Sequence, residues 1–171
     1  MLLMTSTNLV PKYAFFVAGT GNHHDRLQAF DRALLAAGPL AHNLVTVSSI
    51  MPARCKIISP GEGFAMLTAG QITFCVMARQ DTDQPGTFAS AAVGSVKLED
   101  PQKFGYISEY HGYAAGKQEA EAVAKRLAVE MFEEKTGIKV KDGDATATAA
   151  SIQHPGDDSW VSAVAICIFV L

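Results

Sequence analysis

Only two stretches of this 171-residue chain carry helical periodicity, near residues 25–37 and 117–135, and strand-like runs fill most of the interval between them. Strands that follow one another without an intervening helix pair through turns with their neighbours, instead of making the helical crossovers of a parallel sheet. The chain is therefore expected to be α+β, an antiparallel sheet with helices on its outer faces. Asp25 is placed to cap the first helix, which carries an apolar stripe of Leu27, Phe30, Leu34 and Ala37 and closes at Gly38-Pro39. Asp31 falls at the edge of that stripe. The second helix buries Ala120, Val123, Ala124, Leu127, Met131 and Phe132, carries Glu119 and Glu121 near its start, and ends at Gly137.

Strand character is expected at 13–19, 56–58, 64–68, 71–79, 87–98, 104–113, 146–153 and 160–170, with loops at 20–24 and 80–86. The segment 43–52 alternates apolar and polar residues, then stops before Pro52, which has no amide hydrogen for a ladder. Ser48 and Ser49 thus sit at the end of a strand, ahead of a forced turn.

Composition excludes several functions. A net charge of −3 gives no basic field for nucleic acid. The three cysteines, Cys55, Cys75 and Cys167, are widely spaced and read as reduced thiols of a cytoplasmic protein. The start Met1-Leu2-Leu3-Met4 lacks the features of a signal peptide. The apolar run from Trp160 to Leu171 is too short to span a bilayer and reads as a buried strand, so no membrane association is expected. The histidines have no carboxylate at ligand spacing, so no metal site is expected. Gly19-Thr20-Gly21 is followed by His24, which breaks the dinucleotide fingerprint, and no Gly-x-Ser-x-Gly elbow occurs. A charged share of 18% against a hydrophobic share of 49% favours further burial in an oligomer. Glu109 lies mid-strand between Ser108 and Tyr110, with Ile107, Glu109 and His111 sharing one face. It reads either as a solvated edge-strand acid or as a carboxyl held protonated by apolar surroundings. Asp31 reads as a helix-surface acid paired with Arg32 or Lys12, and Asn43 as a turn residue.

Taken together and in order, three segments resemble the pyruvoyl-dependent arginine decarboxylases. They are Ala29-Phe30-Asp31-Arg32-Ala33-Leu34-Leu35-Ala36-Ala37-Gly38, then Asn43-Leu44 leading to Val47-Ser48-Ser49-Ile50-Met51-Pro52, then Glu109-Tyr110-x-Gly112 before a long helix. The resemblance runs from about Tyr13 to the C-terminus. It departs at Pro52-Ala53, where the family often has Pro-Pro, and at residues 20–25, where the family's loop is Gly/Ser/Glu-rich.

The resemblance implies one αββα domain, residues 1–171, made as a proenzyme that cleaves itself between Ser48 and Ser49 into a β chain (1–48) and an α chain (49–171). Ser49 becomes the covalent pyruvoyl group, Asn43 assists, Glu109 returns a proton to the substrate, and Asp31 and Leu34 bind arginine. It also implies a homotrimer, often paired into a hexamer, with the active site between subunits. Two other readings stay open. A pyruvoyl decarboxylase for a different amino acid would leave Asp31 without a cationic partner. An unprocessed, non-catalytic oligomeric homologue would remain a single chain.

Overall fold

The computed structural model describes residues 9–39 and 41–171. The elements run β1 (Tyr13–His23), α1 (Arg26–Ala37), β2 (Asn43–Thr46), β3 (Ile50–Met51), β4 (Lys56–Ile57), α2 (Pro60–Ala65), β5 (Ile72–Thr82), β6 (Phe88–Val96), β7 (Gly105–Gly112), α3 (Lys117–Thr136), β8 (Ala145–Gln153) and β9 (Trp160–Val170). They form two sheets, one ordered β2-β5-β9-β1-β4 and the other β3-β7-β6-β8. Pairing is antiparallel except at the two edges of the first sheet, where β2 joins β5 and β4 joins β1 in parallel. The two sheets, with helices outside them, give the expected α+β sandwich.

β9 is the central strand of the first sheet, and every residue from Val161 to Val170 is buried. That explains its apolar run, interrupted only by Ser162: side chains on one face enter the space between the sheets, and those on the other meet the helix layer. The inter-sheet core joins Val161, Ala163, Ala165 and Cys167 of β9 to Val93 of β6, Ile107 of β7 and Met51 of β3. The outer core sets Val164, Ile166 and Ile168 against Ala33 of α1 and Phe64 of α2.

Small residues let the layers approach closely. A Cβ at Gly21 would collide with the Ala29 carbonyl of α1, and one at Gly94 with the Ala124 carbonyl of α3. α3 accordingly buries Ala120, Ala124, Ala128 and Phe132 against the second sheet. This corrects the expected face, because Met131 is exposed.

Other local expectations are also corrected. Residues 20–23 are not a loop: β1 continues to His23, which pairs with Trp160, because glycines 19 and 21 fit under α1 without breaking the ladder. Residues 64–68 are not extended. Ser59 and Glu62 form a reciprocal capping box that starts α2, with Pro60 in its first turn, where a missing amide hydrogen costs nothing. β5 runs past Arg79 to Thr82, so Asp81 lies in a strand and not in a loop.

Candidate functional site

The 43–52 segment is not one strand but two, placed in different sheets. β2 pairs with β5 in the first sheet, and its last contact there is the Val47 amide donating to the Cys75 carbonyl at 2.8 Å. β3 pairs with β7 in the second sheet, Ile50 opposite Tyr106 and Met51 opposite Gly105. Ser48 and Ser49 are the crossing between them. Met51 is fully buried in the inter-sheet core and anchors the far side, and Pro52 ends the strand.

Two hydrogen bonds define the crossing. The Ile50 amide donates to the Ser48 carbonyl at 3.0 Å, and the Ile107 amide donates to the Ser49 carbonyl at 2.7 Å. Ser48 is exposed and Ser49 half-buried. Beside them is a cavity of about 370 Å³, lined by Leu9, Pro11, Val47, Ser48, Ile50, Pro52, Phe74 and Phe169.

Glu109 lies on β7 two residues beyond Ile107, on the same face, so about 7 Å of strand separates it from the residue that holds Ser49. β3 covers β7 only at Tyr106 and Gly105, which leaves Glu109 on an open edge next to the crossing. Partial burial raises its carboxyl above the ordinary glutamate range, and the charge of His111 on the same strand face opposes the rise. Ile107 points into the inter-sheet core, and Glu109 and His111 share its strand face but are exposed at the open edge, whereas Ser108 points to α3 and donates to the Ala124 carbonyl at 2.6 Å.

The remaining candidates lie elsewhere. Asn43 is exposed at the start of β2, about 10 Å of strand before Thr46, and its side-chain amide donates to the Gly70 carbonyl at 2.8 Å. Leu34 is half-buried in the outer core. Asp31 is not at the edge of a buried face; it is exposed. It makes no ion pair among the described residues, since Arg32 donates to the Asn22 carbonyl instead. Leu27, expected in the apolar stripe, is 70% exposed, and Leu35 is 71% exposed. The buried face of α1 is Ala29 and Ala33. Leu27, Asp31 and Leu35 thus form one outward stripe at four-residue spacing. α1 covers the outer face of the first sheet while Glu109 shares the strand face of Ile107 in the second, so the first sheet stands between Asp31 and Glu109 within the chain.

One functional feature escaped the sequence reading. Asp81, its side chain only 2% exposed, receives bonds from Arg26 Nε (2.9 Å), Arg79 (2.8 Å) and Ser162 Oγ (2.7 Å). The Arg79 guanidinium also stacks on the Phe30 ring at 3.7 Å, and that of Arg26 lies over Trp160 at 5.2 Å. Burial alone would raise the Asp81 carboxyl, but the bonds from Arg79, Ser162 and Arg26 hold it below the ordinary range. This cluster clamps the N-terminal half of α1 to the first sheet. The available signal was the Arg79-x-Asp81 spacing, which places both side chains on one strand face.

The three cysteines are buried free thiols. Burial pushes Cys55 and Cys75 up to about 11, with Lys97 opposing the rise at Cys55 and Glu109 adding to it at Cys75. Burial raises Cys167 well above the ordinary thiol range. None is a thiolate nucleophile at neutral pH. Among the described residues no three His, Cys, Asp or Glu side chains gather as a metal-binding group, and no helix is long and apolar enough to cross a membrane.

Comparison with known proteins agrees with this geometry. The family model described as pyruvoyl-dependent arginine decarboxylase matches residues 13–171. The pyruvoyl-dependent arginine decarboxylase 1 of Methanosarcina acetivorans is 37% identical over 165 residues, which are 96% of this chain and 99% of that protein. The pyruvoyl-dependent arginine decarboxylase of Methanococcoides burtonii is 44% identical over 152 residues, 89% of this chain and 77% of that protein. The pyruvoyl-dependent arginine decarboxylase 2 of Archaeoglobus fulgidus is 41% identical over 163 residues, 95% of this chain and 99% of that protein. With a match across nearly all its length and a serine pair at the crossing of its two sheets, this chain belongs to the pyruvoyl-dependent arginine decarboxylase family.

Proposed function

We propose that the chain is a single-domain proenzyme, residues 1–171, that cuts itself between Ser48 and Ser49 and then converts L-arginine to agmatine and carbon dioxide in the cytoplasm. The observation that carries the reading is the Ser48–Ser49 crossing: a serine hydroxyl next to a peptide that belongs to neither ladder and is fixed by backbone bonds on both sides. Ser49 Oγ attacks the Ser48 carbonyl carbon and gives an ester. Elimination frees the β chain, 1–48, and leaves dehydroalanine at the head of the α chain, 49–171. Hydrolysis with loss of ammonia yields the pyruvoyl group. Ser49 fits this role, because the carbonyl that the Ile107 amide holds stays in place as the group's amide carbonyl. Once formed, the group supplies an electron-withdrawing carbonyl that takes up the electrons released as carbon dioxide leaves.

The chain's own residues then do the rest. Glu109, its carboxyl raised by partial burial, keeps a proton to donate to the substrate carbon. Asp31, exposed and without an ion-pair partner among the described residues, accepts two parallel hydrogen bonds from the arginine guanidinium. Leu34, one turn on, packs against the methylenes of the substrate. Asn43 assists self-processing. Asp31 and Glu109 stand on opposite sides of the first sheet, so one substrate meets both only where two subunits share a site. The exposed Leu27, Leu35, Val45, Val47, Ile50 and Ile72 give apolar surface for such a homotrimer, paired into a hexamer.

Intact mass and denaturing electrophoresis of the purified protein test the cleavage. Two fragments meeting at Ser48/Ser49 are expected, the larger with a carbonyl-bearing N-terminus, and Ser49→Ala is expected to stay whole and inactive. A single uncut wild-type species after long incubation would sink the reading. Release of carbon dioxide from a different amino acid instead of arginine would overturn the substrate and leave the processing intact.

A further inference from the structure

The scissile carbonyl already has a hydrogen-bond donor, and it comes from the backbone. Ile50 faces Tyr106 across β3 and β7 as a non-hydrogen-bonded pair, because the ladder bond at this end runs from the Ile107 amide to the Ser49 carbonyl. The Ile50 N–H therefore points away from β7 and has no ladder partner. It reaches back two residues to the Ser48 carbonyl oxygen at 3.0 Å and closes a three-residue turn centred on Ser49. Arg54 is the only non-glycine with a positive φ among the described residues, so Ser49 makes this turn in its low-energy inverse form. Asn43, the side chain that the family resemblance places at processing, donates one of its two amide hydrogens to the Gly70 carbonyl in this chain.

We infer that the Ile50 backbone amide is the oxyanion donor of the self-cleavage step. The inference rests on the reading that the Ser48–Ser49 bond is the one cut. In that step the Ser49 Oγ–Ser48 C bond forms and the Ser48 C–Ser49 N bond breaks, and the hydroxyl proton ends on the freed Ser49 nitrogen. No electrons enter or leave. Between these events the negative charge rests on the Ser48 oxygen, the atom to which the Ile50 N–H already donates. A donor fixed before the reaction stabilises that charge without reorganising. The same turn holds the peptide next to the hydroxyl that attacks it. Ile50 is a catalytic residue here through its amide alone, and its side chain is not required.

The test replaces Ile50 by its α-hydroxy acid analogue during cell-free synthesis, which exchanges the N–H for an oxygen and leaves the side chain unchanged. Chain cleavage is followed by intact mass, with and without hydroxylamine, which cuts an accumulated ester at Ser48 into fragments 1–48 and 49–171, distinct in mass from cutting at the introduced backbone ester between residues 49 and 50. The expected result is cleavage between residues 48 and 49 slowed about 10²–10³-fold, the range for loss of one oxyanion donor, with no gain at that bond from hydroxylamine. Ile50→Pro also removes the donor, at a strand-edge position where no ladder bond is lost, and is expected to stay uncut. Rapid cutting of the ester variant by hydroxylamine between residues 48 and 49 would mean that acyl transfer proceeds without the amide and would overturn the inference. Wild-type cleavage accompanied by an equally fast ester variant overturns this inference alone. A wild-type chain that stays whole overturns the cleavage reading, and this inference with it.

Discussion

Glu109 sits exposed on an open strand edge, yet partial desolvation of its carboxyl raises it above the ordinary glutamate range. A raised carboxyl keeps its proton to a higher pH than an ordinary glutamate, and loses it as the pH climbs through the raised value. If Glu109 is the proton donor, decarboxylation falls with rising pH along that titration while the extent of chain cleavage does not. Glu109→Gln is expected to cut at Ser48/Ser49 normally and to decarboxylate about 10²-fold more slowly or worse. The pH profile of carbon dioxide release from the processed protein, alongside the mass of its fragments, checks both. Full turnover by Glu109→Gln would remove it as the acid. His111 sets the sign of a second effect: its positive charge favours the ionised carboxylate, so removing it should carry the falling limb to higher pH.

At the scale of the element, α1 is held by the Asp81 cluster as well as by apolar packing. Asp81→Asn keeps the volume but removes the charge that gathers Arg26, Arg79 and Ser162. The expected cost is about 2–4 kcal/mol, read as a lower melting temperature. Because the carboxyl is held below its ordinary range in the fold, its contribution is present at neutral pH and fades as acid protonates it. Asp31 rides on this helix, so the variant should raise the KM for arginine more than it lowers kcat. Steady-state kinetics on the cleaved protein separate the two, and an unchanged KM would show that the clamp does not set the place of Asp31.

Elements with one dominant signal were legible in the sequence. β9 declared itself through a long apolar run broken only by Ser162, and α1 and α3 through their periods and glycine stops. Simple alternation put Glu109 on the strand face of Ile107 and His111, as in β7. What stayed hidden depended on partners distant in the chain. Residues 20–23 look like a turn until α1 is seen to need glycines beneath it. Residues 59–62 look like a break until their reciprocal caps are seen. Leu27 fits an apolar stripe but is outward-facing, since the helix rolls to bury alanines on the glycine strand. The donor to Ser48 was out of reach for a different reason: a backbone amide has no identity in the sequence, and only strand register reveals where it points.

For the whole molecule, the separation of Asp31 from Glu109 by a sheet makes a prediction about assembly. Asp31→Asn and Glu109→Gln are each expected to be nearly inactive alone. Co-expressed, they should regain activity, because about a quarter of the shared sites in a random mixture draw an intact Asp31 from one subunit and an intact Glu109 from its neighbour. Activity of the purified mixed oligomer, against each variant alone, is the measurement. No recovery would mean that each site is built within one chain.

The crossing at Ser48–Ser49 also bears on the history of the molecule. β1 and β9 pair along eleven residues from Tyr13 to His23, and a cut at the crossing assigns them to different chains. Before the cut, their meeting is a loop closure within one polymer; afterwards it is an encounter between two. On the proposed scheme folding must therefore come first, as the cut would depend on a turn that only the finished sandwich holds. Once denatured, the severed pair has lost the tether under which its sheet was assembled. If the proposed cut is made, the bond broken to form the reactive group is also the one that let the protein find its shape.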